Sequence, residues 1–296
     1  MDFDPVFQMK NGVFYGKENM KKQKKNIWKI VYVILIVLCL LCIGGMLLYL
    51  NNDQQEEAAV EEQQEELQQQ YVDRDAESET VQVEKAELPI DFAGLQEINP
   101  EIYAWIRIPD TNIDYPILQH LDDDQTYYLS RDIYGESNQA GSLYTEYYNS
   151  RDFQEPNTII YGHNMKNGSM FHNIRYFAEQ EYFDEHEELY IYLPDKIMKY
   201  QIIACYEYDD RHLLGSFDFH DEEVFAQYLE EIMNPRSMYA MIREGVELTT
   251  EDKLVTLSTC VANKPNNRRL LQAVLVEEVE AEYRGAANED ANKAEN

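Results

Sequence analysis

The feature that most constrains this chain is an uninterrupted apolar run near its N-terminus. Residues 30–50 read IVYVILIVLCLLCIGGMLLYL and contain no charged side chain. At a rise of 1.5 Å per residue, a helix of this length crosses a hydrocarbon core of about 30 Å. A signal peptide has a shorter apolar region and a small-residue cleavage site, which does not follow Leu50. Cys39 and Cys42 each follow a leucine, whereas a lipoprotein site has a small residue there. The sequence therefore predicts a retained membrane anchor.

The charges on the two sides of this run predict its orientation. Residues 1–29 carry seven lysines against three acidic residues, and the first basic residue after the run is Arg74. Since positively charged flanks stay in the cytoplasm, we expect the N-terminus inside and residues 51–296 outside the cell. That outer part has 18 basic and 53 acidic residues, a formal net charge of −35. Such a surface argues against nucleic acid as a partner and favours solubility.

Composition divides the chain into five segments. The predicted cytoplasmic tail (1–29) and anchor (30–50) are followed by a Glu- and Gln-rich stretch, 51–87, with few apolar positions. Because such a stretch buries little surface, it predicts a solvated spacer that is helical in part. Residues 281–296 are similarly polar and predict a disordered tail. One globular domain is therefore expected over 88–280.

Within this domain, short β-rich runs alternate with turn signals, which indicates a mainly β fold. Eight such runs predict a closed or nearly closed eight-stranded barrel. A helix with an acidic first turn is predicted over 221–233, between the sixth and seventh strands, because its apolar residues recur at helical spacing. The predicted strands cover residues 105–108, 113–118, 141–147, 157–163, 188–193, 199–208, 253–259 and 269–279.

The exported part of the chain has two cysteines, too few for a disulfide framework. Cys205 lies in an apolar strand-like run, where a buried and inert thiol is expected. Cys260 directly follows the seventh predicted strand, and Arg268 and Arg269 stand at the start of the eighth. Either the two cysteines form a disulfide bond, which an oxidising compartment permits, or Cys260 is free for chemistry.

One histidine has a position suited to catalysis. His163 follows an apolar strand and a glycine, at a strand end of the kind that often carries site residues. A cysteine nucleophile acts as its thiolate, which a nearby histidine and positive charge support, and an arginine also stabilises an oxyanion. The order His before Cys argues against a papain-like enzyme. No Cys/His spacing suggests a metal site. The other histidines are expected at the surface: His120, His172, His186, His212 and His220.

These residues belong to motifs that resemble the sortases, most closely the class B sortases. The motifs are NTIIYGHNM (157–165), TLSTC (256–260) and an arginine at the start of the strand after the cysteine. Further similar stretches are WIRIPDTNIDYPILQH, TYYLSRDIYG, AGSLY and GSMFHNI, so the likeness covers nearly all of residues 98–276. The helix predicted between the sixth and seventh strands matches the class B elaboration of the sortase barrel.

The resemblance implies a cysteine transpeptidase that needs no cofactor. Cys260 would cleave a C-terminal sorting signal of secreted proteins and form a thioester, which an amine of a peptidoglycan precursor resolves. His163 would be the general acid and base. An arginine would hold the substrate and stabilise the oxyanion, and Ser258 and Thr259 would line the substrate site.

The resemblance also indicates which arginine acts. In sortases the catalytic arginine tends to precede a small residue on this strand by five positions, and Ala273 then indicates Arg268. Arg269 is the alternative, and otherwise an outward, solvated neighbour. Strand alternation alone does not decide, because both faces of this strand are mostly apolar.

Two segments depart from the class B pattern: LYTEYYNS (143–150), in place of a run similar to DYRN, and the short loop VANKPNN (261–267). The sorting motif, NPQTN-like or LPXTG-like, is left open. One alternative is a class B-like pilin polymerase that uses a pilin lysine as its nucleophile. A function of another class is a non-catalytic module that binds surface proteins.

Overall fold

The computed structural model describes residues 9–74 and 86–283. Most of the predicted C-terminal tail and residues 75–85 of the predicted spacer lie outside these ranges. The chain divides into two compact units, Met1–Gln55 and Glu56–Asn296.

The first unit contains most of one long helix, α1 (Met9–Tyr71). Within it, Val31–Asn51 is long and apolar enough to cross a membrane, with a mean hydropathy of 3.0. Its large apolar side chains, such as Leu41 and Leu48, are exposed on all sides of the helix. This all-round apolar surface is typical of a membrane span, and it agrees with the anchor predicted over 30–50 to within one residue at each end.

Among the described residues, the second unit has ten strands, and eight of them close a barrel. Around the barrel the order is β10-β9-β5-β4-β3-β2-β6-β7, and β7 pairs with β10 to complete the circle, while β1 and β8 are two-residue additions. The predicted eight-stranded barrel is therefore confirmed. The ranges are β1 Ala86–Glu87, β2 Ile102–Arg107, β3 Asp114–Leu118, β4 Leu143–Tyr144, β5 Asn157–Tyr161, β6 Glu188–Leu193, β7 Lys196–Asp209, β8 Met241–Ile242, β9 Leu254–Val261 and β10 Lys264–Glu282.

Besides the end of α1, the helices described in this unit are short. They are α2 (Phe92–Ile98), α3 (Gln180–Glu185), α4 (Leu213–Ser216) and α5 (Glu222–Met233), with 3-10 helices at Tyr127–Ser130 and Phe171–Ala178 among the described residues. The Asp221 side chain caps α5, because it accepts hydrogen bonds from the amides of Glu223 and Val224. The helix predicted over 221–233 is thus confirmed, between the sixth and seventh strands of the barrel.

Two apolar layers hold the barrel strands, one on each face. The barrel interior is filled by residues such as Ile160, Leu257 and Leu271. A second cluster packs α5 against the outer face of β7, β9 and β10, through Phe225, Leu229, Leu270 and others. Because these strands are buried on both faces, their sequences are nearly continuously apolar, which is why periodicity alone did not separate the two faces.

The end of α1 packs against the barrel, which corrects the prediction of a solvated spacer. Val60 and Leu67 are each only 6% exposed, and they join the apolar clusters of the barrel. The side-chain amides of Gln64 and Gln68 donate hydrogen bonds to the carbonyls of residues 112 and 114, at 3.2 and 2.9 Å. The few apolar residues of this stretch were too sparse to indicate burial by composition, but positions seven apart share one helix face.

This packing predicts that residues 56–71 stabilise the barrel. Leu67→Ala removes a buried side chain and is expected to lower the free energy of unfolding by about 2–4 kcal/mol. The matched control, Leu121→Ala, alters a side chain that is 70% exposed and should change the free energy by less than about 0.5 kcal/mol. Urea denaturation of a fragment covering residues 52–296 measures both, and equal effects of the two substitutions would contradict the packing.

Candidate active site

Strand pairing brings His163 and Cys260 to the same end of the barrel. Strands β5 and β9 are parallel neighbours, and Tyr161 lies beside Ser258 in their register. His163 and Cys260 each follow this pair by two residues. Since neighbouring strands are about 4.8 Å apart, His163, just beyond the end of β5, lies beside the last residues of β9, which include Cys260.

The register of β9 with β10 places Arg268 directly opposite Cys260, and Arg269 opposite Thr259. Side chains of directly opposite residues lie on the same face of a sheet. Arg268 and Cys260 therefore share a face, whereas Arg269 points to the other one. The strand pairing thus distinguishes Arg268 from Arg269, which alternation along β10 alone did not. Together the two registers bring His163, Cys260 and Arg268, the three residues predicted to be catalytic, to one end of the barrel.

Arg269 is not the solvated neighbour that the sequence suggested. Its side chain is 14% exposed and forms an ion pair with Glu207, with 2.9 Å between Nη2 and Oε1. Its Nη1 also donates to the carbonyl of Arg175 at 3.1 Å. Arg268 instead donates to carbonyls at the start of its own strand, those of Pro265 and Asn267. These contacts make Arg269 part of the barrel framework.

The two cysteines of this unit have opposite environments. Cys260 is exposed, Cys205 is fully buried in the barrel interior, and both are unpaired. Burial raises the pKa of the Cys205 thiol to about 12, which keeps it protonated and unreactive. A free Cys260 and an inert Cys205 are therefore both confirmed.

Hydrogen bonds across β5 and β9 support the backbone of the site. The hydroxyl of Thr259 donates to the carbonyl of Gly162 at 2.7 Å, and the Asn164 side chain donates to the Cys260 carbonyl at 3.0 Å. Thr259 is buried, and its hydroxyl holds the two strands together. Its expected contact with the substrate, like that of Ser258, stays a prediction. At Gly162, a β-carbon would collide with the side chains of Leu143 and Phe171, which explains a glycine before His163.

Two stacked tyrosines lie beside the nucleophile. The rings of Tyr144 and Tyr161 are 5.4 Å apart between centroids. Burial raises the pKa of Tyr144, and its electrostatic interactions with Glu146, Asp124 and Cys260 raise it further. The phenol therefore stays neutral. Ser258 lies two residues before Cys260 on β9 and so shares its face of the sheet. The buried surface beside Cys260 that Tyr144 and Ser258 form is therefore uncharged.

A Glu–His hydrogen bond that left no signal in the sequence joins two segments near this face. Glu146, in the segment that departs from the class B pattern, is buried and accepts a hydrogen bond from Nε2 of His212 at 2.6 Å. Burial raises the pKa of Glu146, and the contact with His212 opposes that rise. Because His212 directly precedes α4, the pair ties the β4–β5 connection to the helical insertion. The partners are 66 residues apart, so the sequence offered no local signal.

The prediction that the remaining histidines are surface residues is wrong for His172. Its side chain is buried in the 3-10 helix Phe171–Ala178, and burial lowers its pKa. His120 is also partly enclosed, since it stacks on Tyr127 with 3.9 Å between ring centroids and contacts Glu101. Both residues lie in polar sequence contexts, where burial has no periodic signature.

Comparison with known proteins identifies relatives over most of the second unit. The family profile described as "Sortase domain" matches residues 106–276, more than half of the chain. Sortase B of Listeria monocytogenes is 34% identical over 188 residues, which are 63% of this chain and 74% of that protein. Sortase B of Staphylococcus aureus is 29% identical over 171 residues, 57% of this chain and 67% of that protein. A crystal structure of sortase B from B. anthracis superposes with a TM-score of 0.61 at 31% identity, and covers 76% of this chain and 98% of that one.

The contrast between the two thiols predicts selective labelling. In native fragment 52–296, which lacks Cys39 and Cys42, iodoacetamide should modify Cys260 readily and Cys205 only after denaturation, because alkylation requires an accessible thiolate. Peptide mass spectrometry locates the label, and Cys260→Ala serves as the control. Native labelling of Cys205 at a similar rate, or a Cys205–Cys260 disulfide, would contradict the structure.

The different contacts of Arg268 and Arg269 predict different effects when each is replaced by lysine. Arg268→Lys keeps the charge but loses the planar set of donors, so single-turnover acylation of Cys260 should slow by roughly a hundredfold without loss of stability. Arg269→Lys should leave the rate within about twofold and lower stability by about 1 kcal/mol, because its hydrogen bonds belong to the framework. The reverse pattern, a slow Arg269→Lys beside a normal Arg268→Lys, would exchange the two assignments.

Proposed function

Because the chain belongs to the sortase family of cysteine transpeptidases, with sortase B proteins among its relatives, we propose that it attaches secreted proteins to the cell wall. In this proposal it cleaves a C-terminal sorting signal, holds the acyl part as a thioester on Cys260, and transfers it to a peptidoglycan amine. The observation that carries the assignment is the cross-strand pair of Cys260 and Arg268 beside the strand end that bears His163.

In the first step, the sulfur of Cys260 attacks the carbonyl carbon of the scissile peptide bond. The guanidinium of Arg268 lies on the same sheet face and stabilises the negative charge that develops on the carbonyl oxygen. The carbon–nitrogen bond then breaks, His163 donates a proton to the leaving amine, and a thioester remains on Cys260.

In the second step, an amine attacks the thioester carbonyl, and His163 accepts a proton from its nitrogen. The carbon–sulfur bond breaks, Cys260 is regenerated and a new amide forms. One amide bond is broken and one is made, so the proposed reaction is balanced without a redox or cofactor step. The exposed position of Cys260 allows both a protein substrate and an acceptor to reach the sulfur.

The first unit supports a location at the cell membrane. The candidate span Val31–Asn51 follows a lysine-rich segment and precedes an acidic one. This asymmetry supports an N-terminus in the cytoplasm and a catalytic unit outside the cell, where secreted proteins and peptidoglycan precursors are found.

Intact-mass measurement tests this function directly. Fragment 52–296 is incubated with peptides of NPQTN type and of LPXTG type, without an amine acceptor. An adduct with the mass of the acyl part, absent in Cys260→Ala, is the expected result, and the reactive peptide identifies the motif. Subsequent addition of a peptidoglycan-derived amine should release the adduct as an amide product.

Two other results would contradict the proposed attachment of proteins to the cell wall. Release of the adduct by the lysine of a pilin subunit, but not by peptidoglycan amines, would favour the pilin polymerase. Peptide binding without any covalent adduct would contradict transpeptidation and favour the binding module.

A further inference from the structure

The imidazole of His163 has a backbone partner outside the reacting groups. Its Nε2 lies 2.7 Å from the carbonyl oxygen of Leu129. A carbonyl oxygen only accepts hydrogen bonds, so the nitrogen that faces it must carry a proton. The neutral ring is then the Nε2–H form, and its other nitrogen, Nδ1, is the one without a proton.

We propose that Leu129, through its carbonyl, and Gly141, through its lack of a side chain, are positioning residues that hold His163 with Nδ1 as its reactive nitrogen. The proposal rests on the proposed function in one respect, namely that His163 transfers protons during transpeptidation. Neither residue touches the reacting atoms in this assignment, and both act through the imidazole ring.

The backbone around His163 is fixed on both sides. The carbonyl of His163 accepts a hydrogen bond from the amide of Phe171 at 2.8 Å, and the amide of Gly162 donates to the carbonyl of Ser258 at 3.2 Å. With the backbone held, the remaining freedom of His163 is rotation about its two side-chain bonds. The hydrogen bond to Leu129 opposes that rotation, which makes the carbonyl the determinant of ring orientation.

The carbonyl of Leu129 is itself aimed by its neighbours. In the 3-10 helix Tyr127–Ser130 and the residue after it, the adjacent carbonyls are engaged by the segment 138–142. Tyr128 accepts from the amide of Ser142 at 2.9 Å, Ser130 accepts from the amide of residue 138 at 3.0 Å, and Arg131 accepts from the hydroxyl of Ser142 at 3.0 Å. These bonds hold the helix from one side, and the Leu129 carbonyl is directed to the histidine.

Gly141 lies where this segment comes closest to the helix. Its φ is +58°, and a β-carbon built there would be 2.5 Å from the Tyr128 oxygen and 2.6 Å from the Leu129 oxygen. Both oxygens are backbone atoms, so a side chain at this position would force the 3-10 helix to move. The Leu129 carbonyl would move with it, away from His163.

Gly135 provides a matched control in the same loop. Its φ of +78° is equally unfavourable for other residues, but a β-carbon there would approach only the hydroxyl of Tyr127, at 3.3 Å. Gly135→Ala and Gly141→Ala therefore share the backbone strain and differ in their effect on the Leu129 carbonyl.

This assignment defines the proton path. In the charged ring, Nδ1–H gives its proton to the amine that leaves the substrate. The neutral ring then accepts a proton on Nδ1 from the incoming amine, as that amine attacks the thioester. The proton on Nε2 stays in place through both steps, so each turnover returns His163 to its starting state.

The test combines nitrogen NMR with kinetics on the full chain in detergent micelles. Histidine labelled with ¹⁵N reports which ring nitrogen is protonated in the neutral form, and His163→Gln assigns the His163 signal. The wild-type protein should show Nε2–H. Gly141→Ala should lose this preference and lower kcat by roughly ten- to a hundredfold with KM nearly unchanged, because a shift of the ring misaligns proton transfer. Gly135→Ala should keep the wild-type tautomer and kcat.

The proposal is overturned by an Nδ1–H tautomer in the wild type, or by a folded Gly141→Ala with the wild-type tautomer and kcat. If Gly141→Ala does not fold, the wild-type tautomer alone decides. The NMR result is also independent of the substrate. If no sorting peptide acylates Cys260 while the tautomers are as expected, the proposed function fails and the positioning of His163 stands.

Discussion

Strand β9 pairs with β5 on one side and with β10 on the other, and the candidate site depends on both registers. The first register brings His163 beside Cys260, and the second brings Arg268 opposite it. A shift of one residue would turn every side chain of β9 to the other face, so that Cys260 would point into the barrel interior. The chemistry is therefore a consequence of how three strands are aligned, although its residues are up to 105 positions apart in the sequence.

A buried polar network holds this alignment. Gln272 lies opposite Thr256 in the β9–β10 register, and the Thr256 hydroxyl donates to its side-chain oxygen at 2.6 Å. The amide nitrogen of Gln272 donates to the hydroxyls of Tyr206, on β7, and Tyr228, on α5, at 3.1 and 3.0 Å. Since Gln272 is fully buried, a register shift would leave several polar groups without partners, each at a cost of about 1–3 kcal/mol. The same network fixes α5 against the face of the sheet that also carries Cys260 and Arg268.

The barrel was predictable because each long strand is a continuous apolar run between turn signals, and α5 because its apolar residues recur at helical spacing. His163 and Cys260 were identifiable from their positions at strand ends. The choice of Arg268 over Arg269 rested on resemblance, because both faces of β10 are apolar. Only the pairing register of β10 with β9 shows which of the two arginines shares a face with Cys260. Contacts between distant polar residues, such as Glu146 with His212 and Arg269 with Glu207, leave no periodic trace in the sequence. The packing of Leu67 was missed because composition was judged over the whole Glu- and Gln-rich stretch.

A crystal structure of the thioester formed with a substrate peptide is the most direct test of the claim that strand register assembles the site. The account predicts the acyl group on Cys260 and the guanidinium of Arg268 within about 3.5 Å of the acyl carbonyl oxygen. It also predicts that His163 lies on the neighbouring strand end, facing the acyl group. Arg269 at the acyl oxygen, with its ion pair to Glu207 broken, would contradict the register and the assignment built on it.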